Sequence, residues 1–191
     1  EGEGSTSADK KIVFLEKKEK KDYFIKDVND FLDIPDSIFT YWANDKVMDL
    51  FRNATRLNDV AEPRQGLATA DNNRFLRLWY EVSINKIGFG VLNRQEASDL
   101  KFKWFPHNKG GAFRKWYGNN EYIINWENDG KEIKDYVVSR YPYLNGKSEF
   151  VVKNQDFYFK PSITWTDLGS TAFSARYSEK GFIFDRSGPS I

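Results

Sequence analysis

The chain has 191 residues, of which 40% are hydrophobic, 17% aromatic and 30% charged, with a formal net charge of +1. That length buries a core in one large domain or two small ones, and the near-zero net charge excludes a global positive field, so attraction to a polyanion has to come from local clusters. The absence of cysteine excludes disulfides and thiolate zinc sites, and no apolar run approaches the ~20 residues of a membrane-spanning helix. Glu1 stands where Met would, with no signal-peptide pattern, which predicts a processed or excised piece working in the cytoplasm. Residues 1–10 are polar and aperiodic and read as a disordered lead-in. Residues 12–15 read as a short strand, and the EKKEKKD run at 16–22 as a solvated turn or helix face. A short helix at 27–32 is stopped by Pro35, and residues 38–42 are β-prone. Asn44 caps a helix that runs to Asn53, with Val47, Met48, Leu50 and Phe51 on its apolar side. Together, residues 11–56 read as a connector of helix and strand.

Residues 57–191 read as a separate α+β domain, with a mixed, largely antiparallel sheet and short helices. The segment EPRQG at 62–66 signals a turn. FLRLWYEV at 75–82 alternates as a strand, with Phe75, Arg77, Trp79 and Glu81 on one face. A short helix follows at 95–99, a strand at 122–126, and a helix at 129–140 that ends at Pro142. The runs 157–160, 163–165, 172–177 and 181–184 read as a β-meander with turns at Pro161, 167–170 and 179–181. The sequence ends in a loop at 187–191 with no closing element, which predicts truncation.

Catalytic motifs are missing. His107 is the only histidine and reads as a solvated loop residue; no GxSxG elbow accompanies it. Asn145-Gly146-Lys147 lacks the upstream glycine of a phosphate-binding loop, and Gly88-Phe89-Gly90 fails as a dinucleotide fingerprint at Asn93. A PD…ExK nuclease can be forced onto Pro35-Asp36 and Glu132-Ile133-Lys134, a pattern that arises readily by chance.

Binding chemistry is present in three clusters. The first is 101–126, where Lys109, Arg114 and Lys115 flank a Gly110-Gly111 turn and Trp116-Tyr117. Cations and a close-approaching backbone suit phosphates. Asn108, Asn119 and Asn120 can read adenine edges, and Trp116 can stack on a base or wedge a step. The alternative is a loop with buried aromatics and exposed lysines. The second cluster is the loop 65–74 with Gln65, Thr69, Asn72, Asn73 and Arg74. The third is Ser174 and Arg176, placed by alternation on one strand face, with Phe173 and Tyr177 on the other. Within the first cluster, 108–115 is the expected contact loop and 122–126 the core strand that holds it.

EPRQGLATADNNRFLRLWYEV (62–82), KWFPHNKGGAFRKWYGNNEYIINWENDG (103–130) and SITWTDLGSTAFSARYSEKGFIFDRSG (162–188) together resemble PglX-type adenine-specific DNA methyltransferases of BREX phage-defence systems. They resemble more loosely the specificity regions of type IIG restriction-modification enzymes. The resemblance implies the target-recognition region of such an enzyme, with double-stranded DNA as partner and S-adenosylmethionine as cofactor of the full-length parent. The family's NPPY-type motif is missing, since no two prolines are adjacent, so no catalytic, cofactor or metal residue carries over. A protein-interaction scaffold for other defence proteins is the alternative, and a nuclease a third.

Overall fold

The structure, a computed structural model, describes residues 6–169 and 172–191. The chain divides into two compact units, residues 1–59 and 60–191, and the fold is α+β.

The first unit is helical. Helix α1 (Ser7–Glu19) begins at a capping box, with Thr6 and Asp9 satisfying each other's backbone amides. The helix therefore takes up residues 7–10 of the expected lead-in and 12–15 of the expected strand. Four lysines and three acidic residues in its thirteen positions favour a helix over a strand. Asp27 caps a 3-10 turn (Val28–Asp33), and α2 (Asp45–Asn53) starts where Asn44 Oδ1 accepts the Val47 amide at 3.0 Å. Residues 38–42 form turns rather than a strand. The core consists of Phe31, Ile34, Ala43 and Met48. Of the expected apolar side of α2, only Met48 is buried.

The second unit carries a four-stranded sheet ordered β1 (Leu76–Leu78), β3 (Tyr122–Asn125), β2 (Trp104–Asn108) and β6 (Ile183–Phe184). The first two pairings are antiparallel and β2–β6 is parallel. β4 (Ser162–Trp165) and β5 (Ala175–Ser178) form a separate antiparallel hairpin. The last fifty residues are thus not a meander: β6 leaves the hairpin to extend the central sheet. Part of the turn expected at 167–170 lies outside the described residues. Residues 190 and 191 are held by backbone pairing. Ser190 and Arg64 exchange backbone hydrogen bonds of 2.8 and 3.0 Å, and Ile191 and Ile163 pair at 2.9 and 3.0 Å.

The strand expected over 75–82 is cut to β1. After the single helical turn α3 (Leu57–Val60), Phe75 ends the one-turn helix α4 (Asn72–Phe75), and residues 79–81 turn as a 3-10 helix because Glu81 Oε2 accepts the Leu78 amide at 2.6 Å. Helix α5 (Arg94–Leu100) is capped by Asn93. Helix α6 (Glu127–Arg140) opens with three left-handed residues, Asn128, Asp129 and Gly130, and buries Ile133 and Val137. A Cβ at Gly130 would come within 2.4 Å of the Trp126 ring. The core gathers Phe75, Phe105, Ile124, Trp126, Ile133, Val137, Tyr158, Phe159 and Phe184. Edge-to-face pairs join Trp126, Tyr158 and Phe184.

Candidate nucleic-acid interface

Three segments far apart in sequence run side by side at the end of the central sheet. The Leu67 amide donates to the Phe184 carbonyl at 3.1 Å, and the Arg186 amide donates to the Leu67 carbonyl at 2.8 Å. On the other side of this segment the Asp185 amide donates to the Asn108 carbonyl at 2.9 Å. Glycine permits the approach: a Cβ at Gly66 would sit 1.9 Å from the Phe184 oxygen, and one at Gly188 would sit 2.7 Å from both the Asn108 oxygen and the Gly110 nitrogen.

The segments then release their next residues around adjoining clefts. One, of about 240 Å³, is lined by Thr69, Asn72, Lys109 and Arg186 among others. The other, of about 480 Å³, is lined by Asn72, Asn73, Arg77, Glu81, Lys109 and Tyr122. Asn72 and Lys109 are common to both. Lys109 lies half-buried with Nζ 5.3 Å above the Tyr122 ring, which fixes the stem of a cation that can still reach a phosphate. Arg77 donates to the Asn73 and Leu76 carbonyls at 2.7 and 2.6 Å.

Beside the clefts sits a buried pair of polar side chains. His107 is not a solvated loop residue: it is fully buried on β2, because its ring fills the space between β2 and the segment after β6. Its Nδ1 is 3.0 Å from the Ile183 carbonyl and its Nε2 3.3 Å from Asp185 Oδ2. Asp185 Oδ1 also accepts the Ser187 amide at 2.7 Å. Burial pushes the Asp185 carboxyl up. The bonds from His107 and Ser187 outweigh it and hold the group below its ordinary value.

The sequence-derived contact residues therefore divide. Asn72, Asn73 and Lys109 meet at the clefts. Arg74 is exposed but engaged, with Nη2 2.8 Å from Glu132 Oε1. The bond from Arg74 is also the chief reason that Glu132 lies below its ordinary value. Arg114, Lys115 and Trp116 are exposed on the loop after Gly111, with Arg114 loosely paired to Glu121 at 3.9 Å.

The others face inward or are engaged by the protein. Gln65 Oε1 accepts from Lys153 Nζ at 3.0 Å. Thr69 is buried and its hydroxyl donates to Asn72 Oδ1 at 2.6 Å. Asn108 donates to Ser178 Oγ at 2.7 Å, and Asn119 to the Ala112 carbonyl at 3.0 Å. Ser174 and Arg176 share a strand face, as alternation predicts, but that face is the buried one. Arg176 has no carboxylate partner among the described residues. Its guanidinium donates to Thr166 Oγ1 at 3.3 Å and Ser174 Oγ at 3.4 Å, its Nε is unpaired, and burial pulls it below the usual arginine range.

Arg77 and Arg186 are the residues that the sequence pattern missed. Arg186 follows Asp185 and opens Arg-Ser-Gly, a turn signal masked by its nearness to the end of the sequence. The nuclease pattern finds no support, since Glu132 is taken by Arg74 and Asn125. Among the described residues no group of three His, Cys, Asp or Glu side chains is placed to hold a metal, and no helix is long and apolar enough to cross a membrane.

No family model matches the chain. It is 41% identical over 169 residues, 88% of its length, to the adenine-specific methyltransferase PglX of Lacticaseibacillus casei (strain Zhang). It is 41% identical over 164 residues, 85% of its length, to the adenine-specific methyltransferase BrxX of Escherichia coli O9:H4 (strain HS). The chain spans 14% and 12% of the lengths of these relatives.

Proposed function

We propose, from its similarity to a segment of PglX-type adenine-specific methyltransferases, that this chain is the DNA-recognition region of such an enzyme in a phage-defence or restriction-modification system. Double-stranded DNA is its partner, and S-adenosylmethionine serves the parent elsewhere in the longer polypeptide. The observation that carries the reading is the convergence of the loops at 66–73, 109–111 and 185–188 on adjoining clefts. There, two asparagine amides and three cations, Lys109, Arg77 and Arg186, stand together. Amides of this kind read adenine edges, and the cations hold phosphates.

The test is fluorescence anisotropy of the 191-residue chain on labelled duplex DNA across a salt series. Binding that weakens steeply with salt supports the reading. No binding at low salt, with the fold intact by circular dichroism, refutes it.

A second reading, protein docking, is favoured by one observation in the first unit. Phe14, Ile25, Leu32, Phe39, Trp42 and Leu50 are all exposed around a small core. It predicts that changing Phe39 and Trp42 to Ser abolishes co-sedimentation with other defence proteins and leaves DNA affinity unchanged.

A further inference from the structure

The hairpin strand β5 is inside out. Arg176 and Ser178 on the strand and Ser174 just before it are buried, while Tyr177 on the strand and Phe173 just before it are 57% and 74% exposed. A half-buried antiparallel strand ordinarily does the reverse. Ile163, the cross-strand partner of Tyr177, is exposed beside it.

Trp116 joins β5 from its other edge. Its amide donates to the Ala175 carbonyl at 3.0 Å, and its carbonyl accepts from the Tyr177 amide at 3.0 Å. Residues paired across a β-bridge ordinarily share a face. Trp116 pairs with Arg176, which is 1% exposed, yet Trp116 is 77% exposed. The backbone explains the difference. At Trp116 φ is +71°, a left-handed conformation that costs a bulky residue about 1–3 kcal/mol and persists only where surrounding bonds enforce it. The two bonds to β5 do so.

Charge identifies what such a face accepts. Arg114 and Lys115 precede Trp116 and are exposed. Behind the face, Arg176 has no carboxylate partner among the described residues, and no nearby charge offsets the cost of its burial. Asp167 borders the cleft between Phe113 and Phe173, and Glu121 stands 3.9 Å from Arg114, so the free positive charge is that of Lys115, which makes no ion pair among the described residues. Flat rings beside cations suit a nucleobase carried on a phosphate backbone, whereas a purely apolar partner gains nothing from the cations.

We propose that Trp116 and the outer face of β5 form a stacking platform for a nucleobase that has left the duplex stack. The proposal rests on the DNA-recognition reading and adds a second contact to it, distinct from the Lys109 clefts. Trp116 supplies the principal ring, Tyr177 the neighbouring one, and Arg114 with Lys115 the phosphate contacts.

The test compares the 191-residue chain on a matched duplex and on the same duplex carrying one extrahelical base, with 2-aminopurine at that base. The bulged duplex is expected to bind about tenfold tighter, with quenched 2-aminopurine emission on binding. Trp116→Ala is expected to remove that advantage, Trp116→Phe to keep most of it, and Tyr143→Ala, far along the chain after α6, to change nothing. Thermal melting checks that the variants fold. If Trp116→Ala unfolds the chain, Tyr177→Ala is read in its place. Equal affinity for both duplexes, or an advantage that survives both alanine variants, overturns the platform while leaving DNA recognition standing. Absence of binding to either duplex overturns both. Concentration-dependent self-association that Trp116→Ala abolishes assigns the face to a second copy and also overturns the proposal.

Discussion

His107 and Asp185 oppose each other across the β2–β6 pairing, Nε2 to Oδ2 at 3.3 Å, with the imidazole shut off from solvent. Both ring nitrogens lie within hydrogen-bond distance of an oxygen, the Ile183 carbonyl and Asp185 Oδ2. The pair and the Ser187 amide together pin the turn that brings Arg186 to the cleft.

A pH prediction comes from this pair. Asp185 lies below its ordinary value of 3.8. A carboxyl depressed by folding contributes stability that is complete above about pH 4 and is lost as pH falls through the folded value. Chemical denaturation at steps from pH 7 to pH 2 should show stability falling steeply below about pH 4. Asp185→Asn should flatten that fall, and an unchanged slope in the variant would falsify the assignment. Asp185→Ala at neutral pH should cost about 1–3 kcal/mol, since it leaves the buried Nε2 of His107 without its partner.

Gly66→Ala tests the convergence of the loops. The new Cβ would meet the Phe184 carbonyl at 1.9 Å, so the Leu67–Phe184 bond has to break. The expected loss is at least about 3 kcal/mol, read as a lower midpoint in urea. A loss below about 1 kcal/mol shows that the loop can shift without the sheet.

Lys109→Ala should lower affinity for duplex DNA on every sequence and reduce the slope of log K against log salt by about one. The fold should lose no more than about 1 kcal/mol, the worth of its ring contact with Tyr122. An unchanged salt slope removes Lys109 from the phosphate contacts.

Arg176 separates stability from binding. Replacing an unpaired buried cation by an apolar side chain of similar length is neutral or favourable. Arg176→Met is therefore expected to gain about 1 kcal/mol, and Arg176→Ala, which leaves a hole, to lose about 3 kcal/mol. If the Met variant melts well below the parent, the guanidinium's bonds to Thr166 and Ser174 outweigh the cost of burying it.

The helices were legible where a cap marks them. Asn44 precedes the helix that the pattern predicts, because a capping side chain is a local signal; Asp27 and Asn93 also cap their helices, a role not expected of them from the sequence pattern. The alternation through 173–178 was legible too, but not its sense. Period alone assigns faces without saying which is inside, and here the arginine and serines went in. His107 was misplaced for a related reason: the partner that buries it, Asp185, stands 78 residues later. The strand expected at 12–15 failed because four apolar residues cannot be told from part of a helix when the flanks are ignored. The meander failed because β6 finds its neighbour in β2 and not in the preceding hairpin, a non-local pairing that no turn signal announces. Of the expected contact residues, those on loops or the one-turn helix α4 (Asn72, Asn73, Arg74, Lys109, Arg114, Lys115, Trp116) remain accessible, and those that strands or tight turns fold inward do not.

The mutual bonds between Arg64 and Ser190 bear on how such a segment evolves. Residues 64 and 190 of the second unit are thereby zipped together. A segment with adjacent ends can be lifted from one long enzyme and set into another while the host's own path hardly changes. On the DNA-recognition reading proposed above, exchanging residues 64–190 between relatives is expected to carry the DNA preference with the segment.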